Sequence, residues 1–242
     1  MTRILLWIAI AGIGLGSAFL SLAYTLSDGH EFDDLHLNLA LGPSCGDGNA
    51  GQRERHLAWN DADAVELALP GTIYWRAGEG SDVVVRGSSA LVAHVELRRG
   101  KLTLDCRGGR EHDLEVTLPG RSLQRIGVTG SGKLIMDKVS QPALALTITG
   151  SGSIRAQGTV DQATITVTGS GDARLGELAA KQVAITITGS GKVDAAPKDS
   201  ANVTITGSGD VRLLTKPASL RSQIAGSGRI TQAPVEAADG KK

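Results

Sequence analysis

The sequence predicts an all-β protein: a single-stranded parallel β-helix with coils of about 19 residues, preceded by one N-terminal transmembrane or signal helix. Three observations lead to this prediction. The phrase Thr-Gly-Ser-Gly occurs five times and then once more as Ala-Gly-Ser-Gly, and its first glycine recurs after 20, 19, 20, 18 and 19 residues. Around each phrase, apolar residues alternate with polar ones, which is the period of a β-strand. Near the N-terminus, one long apolar run carries no charge.

The residues beside each phrase predict the core of the coils. Positions five and three before the central serine are apolar in five coils, as are positions three and five after it. The last coil keeps only Ile224 and Ile230. If coils stack about 4.8 Å apart, these residues form inner columns, and Thr, Ser, Asp, Lys and Arg form outer ones. One predicted inner column consists of Ile148, Val167, Ile187 and Ile205.

The glycines of the phrases recur at equivalent positions in each predicted coil. They share the strand parity of the apolar residues. Glycine suits either a bend of the coil or a close approach of two walls, and the sequence leaves both alternatives open. These glycines are Gly130, Gly132, Gly150, Gly152, Gly169, Gly171, Gly189, Gly191, Gly207, Gly209, Gly226 and Gly228.

The N-terminal apolar run predicts export or membrane anchoring. Residues 4–24 carry no charge, with Arg3 before them and acidic residues after them. The run is long enough to span a bilayer, and this charge order places the remainder of the chain outside the cytoplasm. Cleavage after Ala23 would instead release a secreted protein, and both outcomes stay open.

The chain divides into four predicted segments. They are the N-terminal transmembrane or signal segment at 1–26, an irregular linker or cap at 27–60, the β-helix domain at 61–232, and a disordered tail at 233–242. Between Ala64 and Leu118, short alternating apolar runs separated by Gly and Pro predict strands without the glycine phrase. We interpret them as the first, less regular coils of the same solenoid, including a cap that covers its open strand edge.

The chain has only two cysteines, Cys45 and Cys106. On the exported side of a membrane such a pair is expected to form a disulfide. This bridge would attach the irregular segment to the first coils. Two free buried thiols are the alternative. Neither cysteine belongs to a Cys-x-x-Cys motif or has a histidine nearby in sequence, which speaks against a catalytic role.

Composition and motif spacing speak against several classes of function. Basic and acidic residues are equal at 25 each, and aromatic residues make up 3% of the chain, so no nucleic-acid partner is predicted. The spacing of Gly127 to Lys133 imitates a phosphate loop, but Leu134 follows where Ser or Thr should bind magnesium. We therefore expect no nucleotide and no cofactor. The acidic and histidine residues between His30 and His36 are interpreted as a solvated linker and not as a metal site.

Charged residues follow five of the six glycine phrases, and calcium binding and catalysis are two functions to consider for these positions. The position after each phrase is Lys, Ser, Asp, Lys, Asp and Arg in turn, whereas a calcium-binding roll needs Asp in every turn. An enzyme that acts on polysaccharides would need paired carboxylates. The candidates are Asp172 with Arg174 and Asp210 with Arg212, two coils apart, and surface salt pairing explains them equally well. No catalytic residue and no metal ligand is predicted.

The ladder of phrases resembles a known family. Together with Leu114–Pro119, Leu123–Gly132 and the hairpin-like segment Gly100–Leu104, it looks like the putative auto-transporter adhesin head GIN domain family of bacterial envelope proteins. The resemblance covers roughly Asp61 to Ile230. It implies an exported β-helical domain and carries over no catalytic residues.

We therefore expect a non-catalytic protein of the bacterial cell envelope, with its C-terminal domain in the periplasm or outside the cell. It would be anchored in the inner membrane through residues 4–24, or secreted if that segment is cleaved. Its β-helix surface would bind a glycan, the cell wall or another protein. The alternatives are a polysaccharide-active enzyme and a purely structural or sensor domain.

Overall fold

The computed structural model describes residue 45 and residues 51–59, 63–78, 80–106, 114–120 and 122–233. These residues all belong to one compact unit, Gly42–Lys242. The expected transmembrane or signal segment at 1–26 lies outside the described residues. Among the residues that are described, no helix has the length and apolar character needed to cross a membrane.

The described part of the chain is all-β apart from one helical turn. Its elements, in chain order, are β1 (Gln52–Leu57), β2 (Ala64–Ala68), β3 (Thr72–Arg76), β4 (Val83–Ser88), α1 (Ser89–Val92), β5 (Val95–Arg98), β6 (Lys101–Leu104), β7 (Glu115–Leu118), β8 (Arg125–Gly130), β9 (Lys133–Gly150), β10 (Ser153–Gly169), β11 (Asp172–Gly189), β12 (Lys192–Gly207), β13 (Asp210–Leu213), β14 (Ser219–Gly226) and β15 (Arg229–Gln232).

The strands from β8 onward form a β-solenoid of about five turns. Strands β9, β10, β11 and β12 each run from one glycine phrase to the next and pair in parallel with their neighbours. Strands β13 and β14 pair in parallel with β12, and β15 pairs with β13. The predicted parallel solenoid with coils of about 19 residues is confirmed.

Each coil places one wall before its glycine phrase and one wall after it. The pre-glycine wall consists of residues 125–129, 145–149, 164–168, 184–188, 202–206 and 221–225. The post-glycine wall consists of residues 133–136, 153–156, 172–175, 192–195, 210–213 and 229–232.

The core fills the space between the walls with columns of apolar side chains. Ile148, Val167, Ile187 and Ile205 lie directly over one another, and all four are 0% exposed. Burying such a side chain stabilises the fold by about 1.5–3 kcal/mol relative to leaving it in water. Because a single coil leaves its inner face uncovered, this stabilisation depends on stacking.

The two glycines of a phrase have different functions, so both alternatives left open by the sequence are realised. Gly189 has a φ of +122° at the bend, and a Cβ there would lie 2.4 Å from the carbonyl oxygen of Gly169. Gly191 faces inward, where a Cβ would lie 2.5 Å from Cγ1 of Val167. The ladder continues through the corner, since the Ser190 amide donates to the Gly169 carbonyl at 2.9 Å.

The N-terminal end of the stack departs from the repeat. Strands β2 and β3 still pair in parallel with β8 and β9. Beyond them, β4 pairs antiparallel with β7, β1 with β4, and β5 with β6. This is the region that the sequence predicts as the first, less regular coils with a cap. Strand β3 and helix α1, in which Leu91 and Val92 are buried, are additions that the sequence pattern did not predict.

Strand β1 lies within 27–60, the segment predicted as an irregular linker or cap. Its sequence, QRERHL, has no apolar alternation. Backbone pairing with β4 and an ion pair between Glu54 and Arg86 at 2.7 Å attach it to the sheet instead. Charged side chains on an edge strand also oppose further pairing, which suits a strand at the end of a stack.

A disulfide joins Cys45 to Cys106, with an S–S distance of 2.03 Å across 61 residues of sequence. Cys45 is 2% exposed and belongs to the core cluster, against which Cys106 packs. The bridge attaches the segment before β1 to the chain just after β6.

Candidate binding surface on the post-glycine wall

Two outward columns cover the post-glycine wall and continue across the N-terminal strands. The first outward column consists of Glu115, Thr72, Lys133, Ser153, Asp172, Lys192, Asp210 and Arg229. The second outward column consists of Thr117, Tyr74, Ile135, Arg155, Arg174, Asp194, Arg212 and Thr231. Their residues alternate along each strand with buried apolar ones, so strand geometry directs them away from the core.

The sign of charge alternates along both columns in the last coils. Asp172 precedes Lys192 and Asp210 in the first outward column. In the second, Arg174 is followed by Asp194 and then by Arg212. Opposite charges therefore face each other across neighbouring strands, which stabilises the sheet where like charges would weaken it. The surface offers hydrogen-bond donors and acceptors side by side.

Ion pairs join the charges of these columns. Arg212 binds Asp194 of the preceding coil through two hydrogen bonds, at 2.6 and 3.0 Å. The hydrogen bonds that Arg212 donates to Asp194 raise the pKa of its guanidinium. Arg229 lies 3.6 Å from Asp210, and Arg174 lies 3.9 Å from Asp172. Exposed pairs of this kind contribute only about 0.2–1 kcal/mol each, so stability alone is a weak reason for so many of them.

Two shallow depressions lie along this surface. The one over the last coils has a volume of about 500 Å³, and all its charged lining residues belong to the two columns. The one at the N-terminal end, of about 410 Å³, is lined by Tyr74, Arg76, Arg86, Glu115 and Asp137 among others. Tyr74 is half-buried, whereas the other described aromatic residues, Trp59 and Trp75, are buried. It is therefore the aromatic ring most open to a ligand in the described part of the chain.

The candidate residues of the enzyme alternative lie within the first depression. Asp172 and Asp210 are two coils apart in the first outward column, on either side of Lys192. Each carboxylate has an arginine partner. Among the described residues, no group of three His, Cys, Asp or Glu side chains could bind a metal ion. The stretch from Gly127 to Lys133, whose spacing is similar to that of a phosphate loop, joins β8 to β9. It is followed by a strand, whereas a phosphate loop is followed by a helix.

Sequence reasoning missed two contributors to this surface. Asp194 was not singled out, because its partner Arg212 lies in the next coil and not beside it in the sequence. Tyr74 was missed because β3 itself was not predicted. Alternation of Ile73 and Trp75 with Tyr74 in the run TIYWR would have indicated both the strand and the outward position of the tyrosine.

Comparisons with known proteins agree with the fold. A putative adhesin from Bacteroides fragilis is 17% identical and superposes with a TM-score of 0.61, covering 77% of this chain and 99% of that one. A putative lipid binding protein from Parabacteroides distasonis is 18% identical, with a TM-score of 0.48 and coverages of 77% and 98%. At 17% identity, the likeness to the Bacteroides fragilis protein shows the fold alone. No curated protein matches the chain.

A family model matches residues 62–217, which is more than half of the chain. The match begins just before β2 and continues through β13. It thus includes most of both outward columns. The resemblance predicted from the repeated glycine phrase is confirmed, and the chain belongs to the family described as putative auto-transporter adhesin, head GIN domain.

Proposed function

We propose that the protein is a non-catalytic, adhesin-like protein of the bacterial cell envelope that binds a linear glycan along its post-glycine wall. The observation that carries this proposal is the pair of outward columns, whose polar and charged side chains repeat from coil to coil. Neighbouring strands are about 4.8 Å apart. This repeat is close to the length of one sugar unit in an extended polysaccharide, so successive coils could bind successive sugars.

The chemistry of the columns suits sugar hydroxyls. Carboxylates accept hydrogen bonds and guanidinium groups donate them, whereas a hydroxyl does both. The alternation of Asp194 with Arg174 and Arg212 supplies both functions at neighbouring positions. At the N-terminal end, Tyr74 adds an aromatic face on which a sugar ring could stack. A ligand in extended conformation could follow one column along the stack.

Two observations support a place in the cell envelope. The Cys45–Cys106 disulfide is typical of proteins that fold in an oxidising compartment. The family description also names adhesins. As part of the proposal, residues 4–24 anchor the chain in the inner membrane, or the protein is secreted after cleavage behind Ala23.

The arginine partners favour binding over catalysis. A glycosidase needs one carboxyl group that donates a proton to the leaving oxygen and a second that acts as base or nucleophile. Each of Asp172, Asp194 and Asp210 instead has an arginine within 4.0 Å. Such fixed pairs are better suited to positioning a ligand through many weak contacts.

The test compares two single replacements in a glycan-array and pull-down screen. Arg212→Ala removes a cation from the second outward column, whereas Lys181→Ala removes one from another part of the surface. The two side chains are matched, because each is 62% exposed and each pairs with an aspartate of the preceding coil. A hydrogen bond to a charged group contributes about 1.5–3 kcal/mol, so Arg212→Ala should weaken glycan retention by about 10- to 100-fold. Lys181→Ala should leave it unchanged.

The same screen includes an assay for released reducing sugars. Retention without sugar release is the expected result. Release of sugars by the wild-type protein would contradict the non-catalytic proposal. Equal loss of binding in both variants, or no glycan retention by the wild type, would contradict the assignment of the binding surface.

A further inference from the structure

The last coil of the solenoid leaves an open strand edge. Strand β14 pairs with β12 on one side, and none of the described strands pairs with its other side. Its inward residue Ile224 is 43% exposed, whereas Ile205, directly before it in the same column, is 0% exposed. The opposite end of the stack differs, because β1 presents an edge full of charges. Strand β14 contains only one charged residue, Arg221.

The direction of the unpaired backbone groups follows from the ladder. The Ala145 amide donates to the Gln124 carbonyl of the preceding coil at 2.8 Å. The strand register places Arg221 at the position in the last coil that Ala145 has in its own coil, with Thr164, Ala184 and Asn202 at the same position in the coils between them. Arg221 therefore directs its N–H and C=O toward β12. Because successive residues of a strand direct these groups to opposite sides, Leu220, Ser222 and Ile224 direct theirs away from the stack.

The same three residues also point their side chains inward. Leu220 lies over Ala201, Ser222 over Val203, and Ile224 over Ile205. The residues below them are all buried. In the described part of the chain, Leu220, Ser222 and Ile224 thus carry both the unpaired backbone groups and the inward side chains that no further coil covers. Any strand that pairs with this edge and places apolar side chains on the same face would satisfy both.

We propose that a second copy of this chain supplies that strand, through antiparallel pairing of the two β14 strands about a two-fold axis at Ser222. In this register Ser222 lies opposite Ser222 of the second copy, and Leu220 lies opposite its Ile224. Each of these pairs joins residues with free backbone groups, so each can exchange two hydrogen bonds. Inward side chains also meet inward side chains, which continues the core from one copy into the other. A C2 contact requires such self-complementarity.

The composition of residues 234–242 favours a second copy over this stretch as the occupant of the edge. The Ala233 amide is still paired with the Leu213 carbonyl of the preceding coil at 2.8 Å. The nine residues that follow, PVEAADGKK, contain Val235 as their one large apolar residue. Residues 234–242 therefore do not contain two large apolar side chains that could cover both Leu220 and Ile224.

The charges of β14 are compatible with self-pairing. Arg221 lies opposite Gln223 of the second copy, so no like charges face each other directly. The two Arg221 side chains are diagonal neighbours, about 7–8 Å apart. Their repulsion should be screened by salt, so the dimer should become tighter as ionic strength rises. The inference is independent of the proposed glycan binding, because β14 belongs to the pre-glycine wall.

Cysteine cross-linking of the full chain tests this register. The two native cysteines form a disulfide, so an introduced cysteine is the one reactive thiol. In the Ser222→Cys variant, the paired Cα atoms would be about 5.5 Å apart, within the range of a disulfide. In the Ser219→Cys control, the two cysteines would be six residues out of register, about 20 Å apart. Mild oxidation followed by non-reducing electrophoresis should give a covalent dimer for Ser222→Cys only.

A second replacement tests whether the dimer depends on the exposed apolar side chain of Ile224. Adding Ile224→Arg to Ser222→Cys should abolish cross-linking, and the circular dichroism spectrum should be unchanged because Ile224 is already 43% exposed. Three results would overturn the proposal: equal cross-linking of Ser222→Cys and Ser219→Cys, cross-linking that survives Ile224→Arg, or stronger cross-linking of a Gln223→Cys variant, which would indicate another register.

Discussion

Replacing Gly189 with alanine tests the geometry of the corner that all coils share. At this position φ is +122°, and the new Cβ would lie 2.4 Å from the Gly169 carbonyl oxygen of the preceding coil. Real Cβ contacts stay above 3.0 Å, so the two coils would have to separate by at least about 0.6 Å. The same carbonyl accepts the amide of Ser190, so separation also weakens a ladder hydrogen bond.

The expected loss of stability combines two effects. A non-glycine residue in this backbone region costs about 1–3 kcal/mol. Forcing extra volume into a closely packed site costs about 1–3 kcal/mol more. Gly189→Ala should therefore lower the free energy of unfolding by about 4 kcal/mol.

Gly127→Ala is the matched control, because it makes the same chemical change inside strand β8 of the pre-glycine wall, away from the corner. Its Cβ would lie 3.8 Å from Cγ of Glu66, an ordinary contact, and its φ is not in the positive region. This variant should be about 0.4–1 kcal/mol more stable than the wild type, since alanine restricts the unfolded chain. Guanidinium unfolding followed by far-ultraviolet circular dichroism measures both. Stabilities within about 1 kcal/mol of each other would refute the role given to the corner.

Two further predictions concern the N-terminal end. Replacing both Cys45 and Cys106 with serine should lower the free energy of unfolding by about 4 kcal/mol, which is the chain-entropy value for a loop of 61 residues. A double variant as stable as the wild type would contradict this. Hydrogen bonds donated by Arg86 and, to a smaller extent, by His56 lower the pKa of Glu54. The ionised Glu54 side chain therefore stabilises the contact between β1 and β4 at pH values above the usual titration range of glutamate. This stabilisation is lost as the pH falls through the lowered pKa of Glu54. Amide exchange in β1, corrected for intrinsic rates, should therefore speed up as the pH falls below the usual titration range of glutamate, and Glu54→Gln should remove that dependence. A wild-type profile that stays flat would argue against it.

The repeated part of the fold was predictable because local and global signals agree there. Each phrase specifies a corner, and the alternation beside it specifies which side chains are buried. Val167 and Ile187 are buried in the column that their spacing from the phrase predicts. Strand β1 was not predictable in this way, because its attachment depends on backbone pairing with a distant strand. The residue pattern of β1, QRERHL, does not indicate that it pairs with β4.

The candidate surface was predictable only in part. Outward parity identified Asp172 and Arg212 as exposed, but the sequence could not show that Arg212 would bind Asp194 of the preceding coil at 2.6 Å. That contact depends on side-chain conformation across coils. Tyr74 reaches the surface because β3 continues the column into the N-terminal strands, a register set by tertiary pairing.

The most direct test of registered stacking uses pairs of cysteines on the outer surface of the pre-glycine wall. Thr166, Thr186 and Thr204 lie in one column on three successive coils. Neighbouring positions are about 4.8 Å apart and alternate ones about 9.6 Å, and a disulfide requires less than about 7 Å. Registered stacking predicts a disulfide on oxidation of the Thr166→Cys, Thr186→Cys variant and none in the Thr166→Cys, Thr204→Cys variant. Bridging in the second variant, or its absence in the first, would contradict the stacking on which both proposals rest.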